Sequence, residues 1–239
     1  MENLPGFIGY TFLAIVVAAM AFLFYALNHA APEKKNFTPT ATVTFLAVWL
    51  FVLSILTFND FFLDFEVKPP RLIYALLPSV VAIVILFANK QSRAFLMKLP
   101  LTTLTYIHII RVPVEIVLWW LSQEEVIPVE LTFEGNNYDI LSGISAPFAG
   151  VFLVGLRSKS RIGALIWNFL ALGLLIYIVW QAIFATPVFF DPAVFSNPNI
   201  AVFYFPFILL PGFVVPVVLF SHLVSIYKLL GDNDMEDEY

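Results

Sequence analysis

The chain has 239 residues, of which 61% are hydrophobic and only 12% charged, with a formal net charge of −5 and no cysteine. An ordinary soluble domain carries roughly 25% charged residues, so a chain this apolar lacks the polar surface to cover itself in water. The acidic balance speaks against nucleic acid as a partner, and the missing thiols exclude disulfides, thiolate metal sites and cysteine nucleophiles.

The apolar residues fall in blocks of about twenty, the length needed to cross roughly 30 Å of hydrocarbon. They predict an all-α, polytopic membrane protein, a bundle of seven transmembrane helices at residues 4–28, 41–58, 71–88, 96–121, 138–156, 162–185 and 200–230. Its first partner is the lipid bilayer. The N-terminal block lacks a basic n-region and is too long for a signal-peptide core, so it reads as a retained first span. The linkers are short, and neither a soluble domain nor an internal repeat is visible. Residues 1–230 therefore read as a single transmembrane domain and 231–239 as a disordered, acidic tail.

Orientation follows from the basic loop residues. Lys34, Lys35, Lys90, Arg93, Lys98, Arg157, Lys159, Arg161 and Lys228 alternate onto one side of a seven-span topology. The opposite loops hold Lys68 and Arg71 but also Asp60, Asp64, Glu66, Glu124, Glu125, Glu130 and Glu134. The expectation is an N-terminus outside and a cytoplasmic C-terminus. Among the linkers, residues 122–137 alternate apolar and polar positions before a Gly-Asn turn signal, which reads as a surface loop or a short strand over the bundle mouth. The proline-rich linker after span six, with its aromatic residues, is a candidate partial lid.

Span four carries the chemistry. In the run TLTYIHIIRVPVEIVLWW, His108, Arg111 and Glu115 fall within an arc of roughly 60° on a helix advancing about 100° per residue. Each charge at mid-membrane costs about 2.5–3.5 kcal/mol on insertion scales, so these groups need internal partners. Arg111 and Glu115 are i and i+4, the spacing at which side chains meet, and are expected to pair. Pro113 cannot donate to the carbonyl of Ile109, which adds a free acceptor.

Other spans add candidates. His222 in span seven lies at a depth similar to His108, so the two imidazoles are expected to meet. Pro206, Pro211 and Pro216 recur every five residues above it and predict a kinked or partly unwound upper half. Span five opens with Asn136, Asn137, Tyr138 and Asp139, of which Asp139 lies near the outer mouth and within water-mediated reach of Arg111 or Glu115. Its Gly143, Ala146 and Gly150 supply a small-residue face for close helix approach. Asn168 of span six is a candidate lining residue. The candidate binding or translocation site is thus His108, Arg111, Glu115, Asp139, Asn168 and His222.

The third histidine, His29, sits at the end of span one, about 10 Å or more shallower than His108 at helical rise. With no HxxxH or HExxH pair, zinc is not expected. A single haem between His108 and His222 is possible in principle on the same footing, and the pattern assigns no cofactor. There is no mid-membrane lysine in span seven for a retinal Schiff base, since Lys228 ends that span, and no phosphate-cradling glycine loop or GxSxG elbow.

The blocks IHIIRVPVEIVLWWL, LTFEGNNYDILSGISAP, NPNIAVFYFPF and VVPVVLFSHL resemble those of an uncharacterised family of bacterial, Bacteroidetes-type multi-pass membrane proteins. The resemblance covers most of the chain. It implies a multi-pass protein of the bacterial inner membrane and imports no mechanism.

Three functions fit these residues. The first is a bundle with a water-accessible polar cavity between spans four to seven that binds or passes a proton, an ion or a small solute. Arg111 would hold an anionic group there or be neutralised by Glu115, and the histidines would titrate. The second is an intramembrane enzyme on a lipid-soluble substrate, metal- or haem-assisted, with Glu115 or His108 as acid or base. The third is a structural or accessory subunit, as a monomer or an oligomer, whose buried charges only pair helices.

Overall fold

The computed structural model describes residues 4–30, 39–155 and 160–231. Lys34, Lys35, Arg157, Lys159 and the acidic tail beyond Gly231 lie outside the described residues. Those described are helical, with no strand among them. In chain order the helices are α1 (Gly6–Ala30), α2 (Pro39–Phe58), α3 (Ile73–Ala88), α4 (Lys90–Leu96), α5 (Leu101–Gln123), α6 (Ile140–Phe152), α7 (Arg161–Phe184) and α8 (Leu210–Gly231).

Five of these, α1, α2, α5, α7 and α8, are long and apolar enough to cross a membrane. A sixth crossing is reached if α3 and α4 count as one, but they meet at 96°. The bend sits at Asn89, whose extended backbone ends α3 and whose side chain accepts from the N–H groups of Gln91 (2.8 Å) and Ser92 (3.1 Å) to start α4. An asparagine N-cap satisfies backbone donors the new helix would otherwise expose. The span expected at 96–121 accordingly begins later, at Leu101, after Pro100 with its proline-fixed φ of −70°. The fifth expected span is shorter than 138–156: α6 has 13 residues, a rise of about 20 Å against roughly 30 Å of hydrocarbon.

Lipid-facing surface is plain on α2, α3 and α7. Phe45, Phe51, Val84, Ile85, Leu170 and Trp180 are all more than half exposed. In water that much apolar area would be costly at about 25 cal/mol per Å², whereas acyl chains accept it. Helices α5 and α8 run through the interior. Between them and α1 lies the principal apolar core, which includes Phe12, Leu104, Leu121, Phe213 and Val224.

The upper half of the last expected span is broken. Residues 201–203 make one 3₁₀ turn, residues 204–209 run through turns, and Leu210–Val214 wind as a π-helix before regular helix resumes at Val215. Pro216 has no N–H for the carbonyl of Gly212, four residues earlier. Two other helices supply donors instead. Trp49 Nε1 of α2 (3.2 Å) and Ser79 Oγ of α3 (2.9 Å) both donate to that oxygen. Gly212 also has to lack a side chain, because a Cβ there would lie 2.5 Å from Leu53 Cδ1 of α2. One proline-freed carbonyl thus ties α2 and α3 to α8.

The ends of the bundle differ in charge. At one end lie the loops carrying Asp60, Asp64, Glu124, Glu125 and Glu130, joined by aromatic contacts such as Phe65 on Phe203. At the other end, Lys228 Nζ donates to the carbonyl of Leu99 (2.6 Å) and Arg161 Nε to that of Leu229 (2.6 Å). These cations neutralise helix C-terminal carbonyls or close a loop, as expected near the negative pole of a helix.

Replacing Ser79 by Ala should lower unfolding stability by about 1 kcal/mol, the net worth of one hydrogen bond. Adding Trp49→Phe should cost more than the two single losses together, because the Gly212 carbonyl is then buried without a donor. Thermal unfolding of the purified single and double variants in detergent measures both.

Candidate functional site

Arg111 sits where α5 changes pitch. Residues Ile107–Ile110 form a 3₁₀ turn inside the helix, and the N–H of Arg111 reaches the His108 carbonyl. Pro113 accounts for the local winding, since its ring crowds the carbonyl four residues back and offers it no donor. The tighter turn sets His108, Arg111 and Glu115 into the bundle, where they are 0%, 3% and 2% exposed.

Helix α6 comes close to α5 at this level. A Cβ on Gly143 would lie 2.8 Å from Val112 Cγ2 and 2.9 Å from its backbone nitrogen, and a Cβ on Gly150 would lie 2.6 Å from the Tyr106 ring. With buried Ala146 between them, these residues form the small-residue face read from the sequence. The close approach brings Asp139, at the N-terminus of α6, onto the guanidinium.

The partner of Arg111 is therefore Asp139 and not Glu115. Arg111 Nε donates to Asp139 Oδ2 at 2.6 Å, and Nη2 donates to Asp139 Oδ1. This is a side-on bidentate pair, a strong form of arginine–carboxylate contact. The i,i+4 pair expected with Glu115 fails because a guanidinium edge holds one carboxylate in this geometry, and the carboxylate delivered across the Gly143 contact takes it. Direct contact also replaces the water-mediated one expected for Asp139.

The remaining donors of Arg111 point to α7 and α8. Nη2 also donates to the carbonyl of Ala171 (3.0 Å), and Nη1 to His222 Nε2 (3.1 Å). His222 Nδ1 in turn donates to Asn168 Oδ1 (3.0 Å), whose own Nδ2 donates to the Ala164 carbonyl (2.9 Å). The chain of donors assigns the tautomer: Asn168 presents its oxygen, so the His222 proton sits on Nδ1 and leaves Nε2 to accept from Arg111. Arg111, Asp139, His222 and Asn168 form one satisfied set across four helices.

His108 lies beside this set without joining its hydrogen bonds. Its ring stacks on His222 with centroids 3.9 Å apart, and Trp167 meets it edge-on at 5.4 Å. Neither ring nitrogen has a hydrogen-bonding partner among the described residues. The two imidazoles meet, as expected from their depth, but face to face. Axial haem ligation needs them on opposite sides of a macrocycle, and stacked rings leave no such gap. His29 is far from both, exposed at the end of α1 and stacked on Tyr25. No cluster of three metal-ligating side chains occurs among the described residues.

Glu115 is held separately. Asn137 Nδ2 donates to its Oε1 at 2.6 Å and to the Leu131 carbonyl at 3.1 Å, while Asn137 Oδ1 accepts from the N–H of Asp139 at 2.9 Å. The other carboxylate oxygen, Oε2, is buried without a partner. Glu115 and Asp139 both border a cavity of about 80 Å³ whose remaining walls are apolar apart from Asn199. Asn199 is buried, and its Oδ1 also has no partner.

Asn137 and Asn199 escape a sequence search because they come from loops. The 122–137 linker forms no strand. It turns through a 3₁₀ segment at Val129–Leu131 and folds back tightly at Gly135, where a Cβ would collide with the Val129 carbonyl. The linker after α7 closes on it: the N–H groups of Ile200 and Ala201 donate to the Val126 carbonyl (3.1 and 3.2 Å), and Ser196 Oγ donates to Glu130 (3.0 Å). Together they cap the bundle mouth and lower two asparagines into it. The one available signal is the Asn137-Tyr138-Asp139 spacing, which suits an Asx turn at a helix start.

No family model, curated protein or solved structure matches the chain.

Arg111→Met should destabilise the protein by about 3–5 kcal/mol, because it leaves the Asp139 carboxylate buried and unpaired. The double variant Arg111→Met, Asp139→Leu should recover most of that loss. Equilibrium unfolding in mixed micelles, run on the single and double variants, measures the difference.

Proposed function

We propose that this membrane protein binds or translocates a proton or small cation at Glu115. The supporting observation is charge balance inside an apolar bundle. Arg111 and Asp139 neutralise one another, His222 and Asn168 complete that set, and Glu115 has no salt-bridge partner among the described residues. A lone carboxylate out of water is expensive until a proton or cation joins it. One oxygen is positioned by Asn137, the other has no hydrogen-bond partner among the described residues, and the residue borders the cavity with Asn199. The satisfied set on Arg111 serves as a staple holding α5, α6, α7 and α8 around that carboxyl. Four of the five N–H groups of Arg111 are engaged within the protein, which favours a cation at Glu115 over an anion at Arg111.

The same proposal includes the topology. Seven crossings, with the short α6 as the fifth, place the N-terminus outside and the C-terminus in the cytoplasm of a bacterial cell. The separation of acidic from basic loops supports this orientation, and the motif blocks of the sequence support the bacterial family.

In proteoliposomes loaded with a proton-, sodium- or potassium-sensitive dye matched to the ion, the wild type should dissipate the imposed gradient of at least one of the three faster than empty vesicles. Glu115→Gln, which keeps an acceptor for Asn137, should cut that rate at least tenfold. Wild-type flux equal to that of empty vesicles for all three ions, with no cation binding detectable by calorimetry, would overturn the reading. Because the chain has no native cysteine, single cysteines report topology cleanly. Glu130→Cys should react with an impermeant maleimide in intact cells, and Lys90→Cys only after permeabilisation; the reverse pattern inverts the orientation.

A further inference from the structure

The cavity at Glu115 has neighbours on its outer side. It shares Val179, Ala182, Asn199 and Val215 with a second cavity of about 60 Å³. That one in turn shares Leu76, Val179 and Ile183 with a groove of about 220 Å³ between α3 and α7, floored by α8. The groove is bordered by Val80, Ile176 and Trp180, side chains 38%, 58% and 62% exposed on the lipid-facing surface. It lies one to three turns from the start of α3 and the end of α7, within the leaflet at the acidic end of the bundle. A row of adjoining apolar cavities therefore lies between the lipid-facing groove and a buried carboxyl.

The inner end specifies what would fit there. Two of its lining residues, each 2% exposed, carry a polar atom with no hydrogen-bond partner among the described residues, Glu115 Oε2 and Asn199 Oδ1. Both are acceptors. The oxygens of Asp139 are engaged by Arg111, and Asn199 Nδ2 is directed to the Ala182 carbonyl. A ligand must bring the donors, and the missing charge is positive. The inner cavity has room for about two to three waters, enough for an ammonium and its first carbons but not for a phosphoester head group. A quaternary ammonium has the charge but no N–H.

Resting on the reading of Glu115 as a cation site, we infer that the site takes a protonated primary or secondary amine on a single apolar tail. The ligand enters sideways from the bilayer leaflet between α3 and α7. The ammonium is placed between Glu115 and Asn199, and the tail lies in the groove.

The test uses the full chain in phosphatidylcholine–phosphatidylglycerol nanodiscs and radiolabelled octylamine, read by scintillation proximity. Saturable binding should be displaced by unlabelled octylamine but not by octanol, octanoate or octyltrimethylammonium at the same concentration. Glu115→Gln should weaken it at least tenfold. Ala182→Phe, which fills the adjoining cavities without touching the carboxyl, should do likewise while its thermal unfolding stays within a few degrees of wild type. Val17→Trp on the far lipid face should change nothing. Equal binding of octylamine and octanol, or wild-type affinity in both Glu115→Gln and Ala182→Phe, overturns the inference. Displacement by added phosphatidylethanolamine also overturns it, in favour of a lipid head group. Ion flux in proteoliposomes is scored independently: flux without amine binding removes only the lateral ligand, and amine binding without flux removes only translocation.

Discussion

A guanidinium buried among apolar helices has to be met by a carboxylate with matching geometry, and here the contact between Arg111 and Asp139 arranges its surroundings. The side-on pair requires the N-terminus of α6 to lie against the middle of α5. That approach requires no side chain at Gly143, and it is repeated below by Gly150 against Tyr106. The remaining donors of Arg111 then draw in α7 through Ala171 and α8 through His222. In low dielectric each of these bonds is stronger than in water, and each unmade one is correspondingly costly. Four helices are fixed in rotation by the needs of one side chain.

The satisfaction of that set gives Glu115 its distinct status. Its side chain shares the helix face of Arg111, yet Asn137, delivered by a loop, holds it apart. The result is two carboxylates about one helix face with opposite circumstances, one neutralised and one not. The neutralised pair resembles a structural staple. The other carboxylate borders a cavity and has an unpartnered oxygen, which is where a mobile cation or proton gains most from binding.

Prolines contribute by removing hydrogen bonds in chosen places. Pro113 accompanies the 3₁₀ turn that carries His108 into the core. Pro216 frees the Gly212 carbonyl, and Trp49 and Ser79 recover it, joining the peripheral helices α2 and α3 to α8. Inside a membrane a backbone group without a partner costs several kcal/mol, so a broken helix must be completed by its neighbours.

Much of this is legible without coordinates. Composition and block length point to a membrane-spanning helical chain because burial in hydrocarbon depends on side-chain chemistry summed over about twenty residues. The face shared by His108, Arg111 and Glu115, the meeting of His108 with His222, the small face of α6 and the unwinding before Val215 all follow from local periodicity and proline chemistry. Partner choice does not. Helical spacing made Glu115 the natural mate of Arg111, and only the crossing of α5 by α6 brought Asp139 closer in the geometry a guanidinium favours. Asn137 and Asn199 lay in loops, whose inward reach has no period to read. The late start of the fourth span and the shortness of the fifth were likewise settled by a new helix capped at Asn89 and by a helix that stops after 13 residues. One-dimensional sequence determined which groups must be buried, because that is a property of each residue and its neighbours along the helix. Which buried group satisfies which other was decided in three dimensions, because a hydrogen bond depends on the orientation of two segments that no local pattern relates.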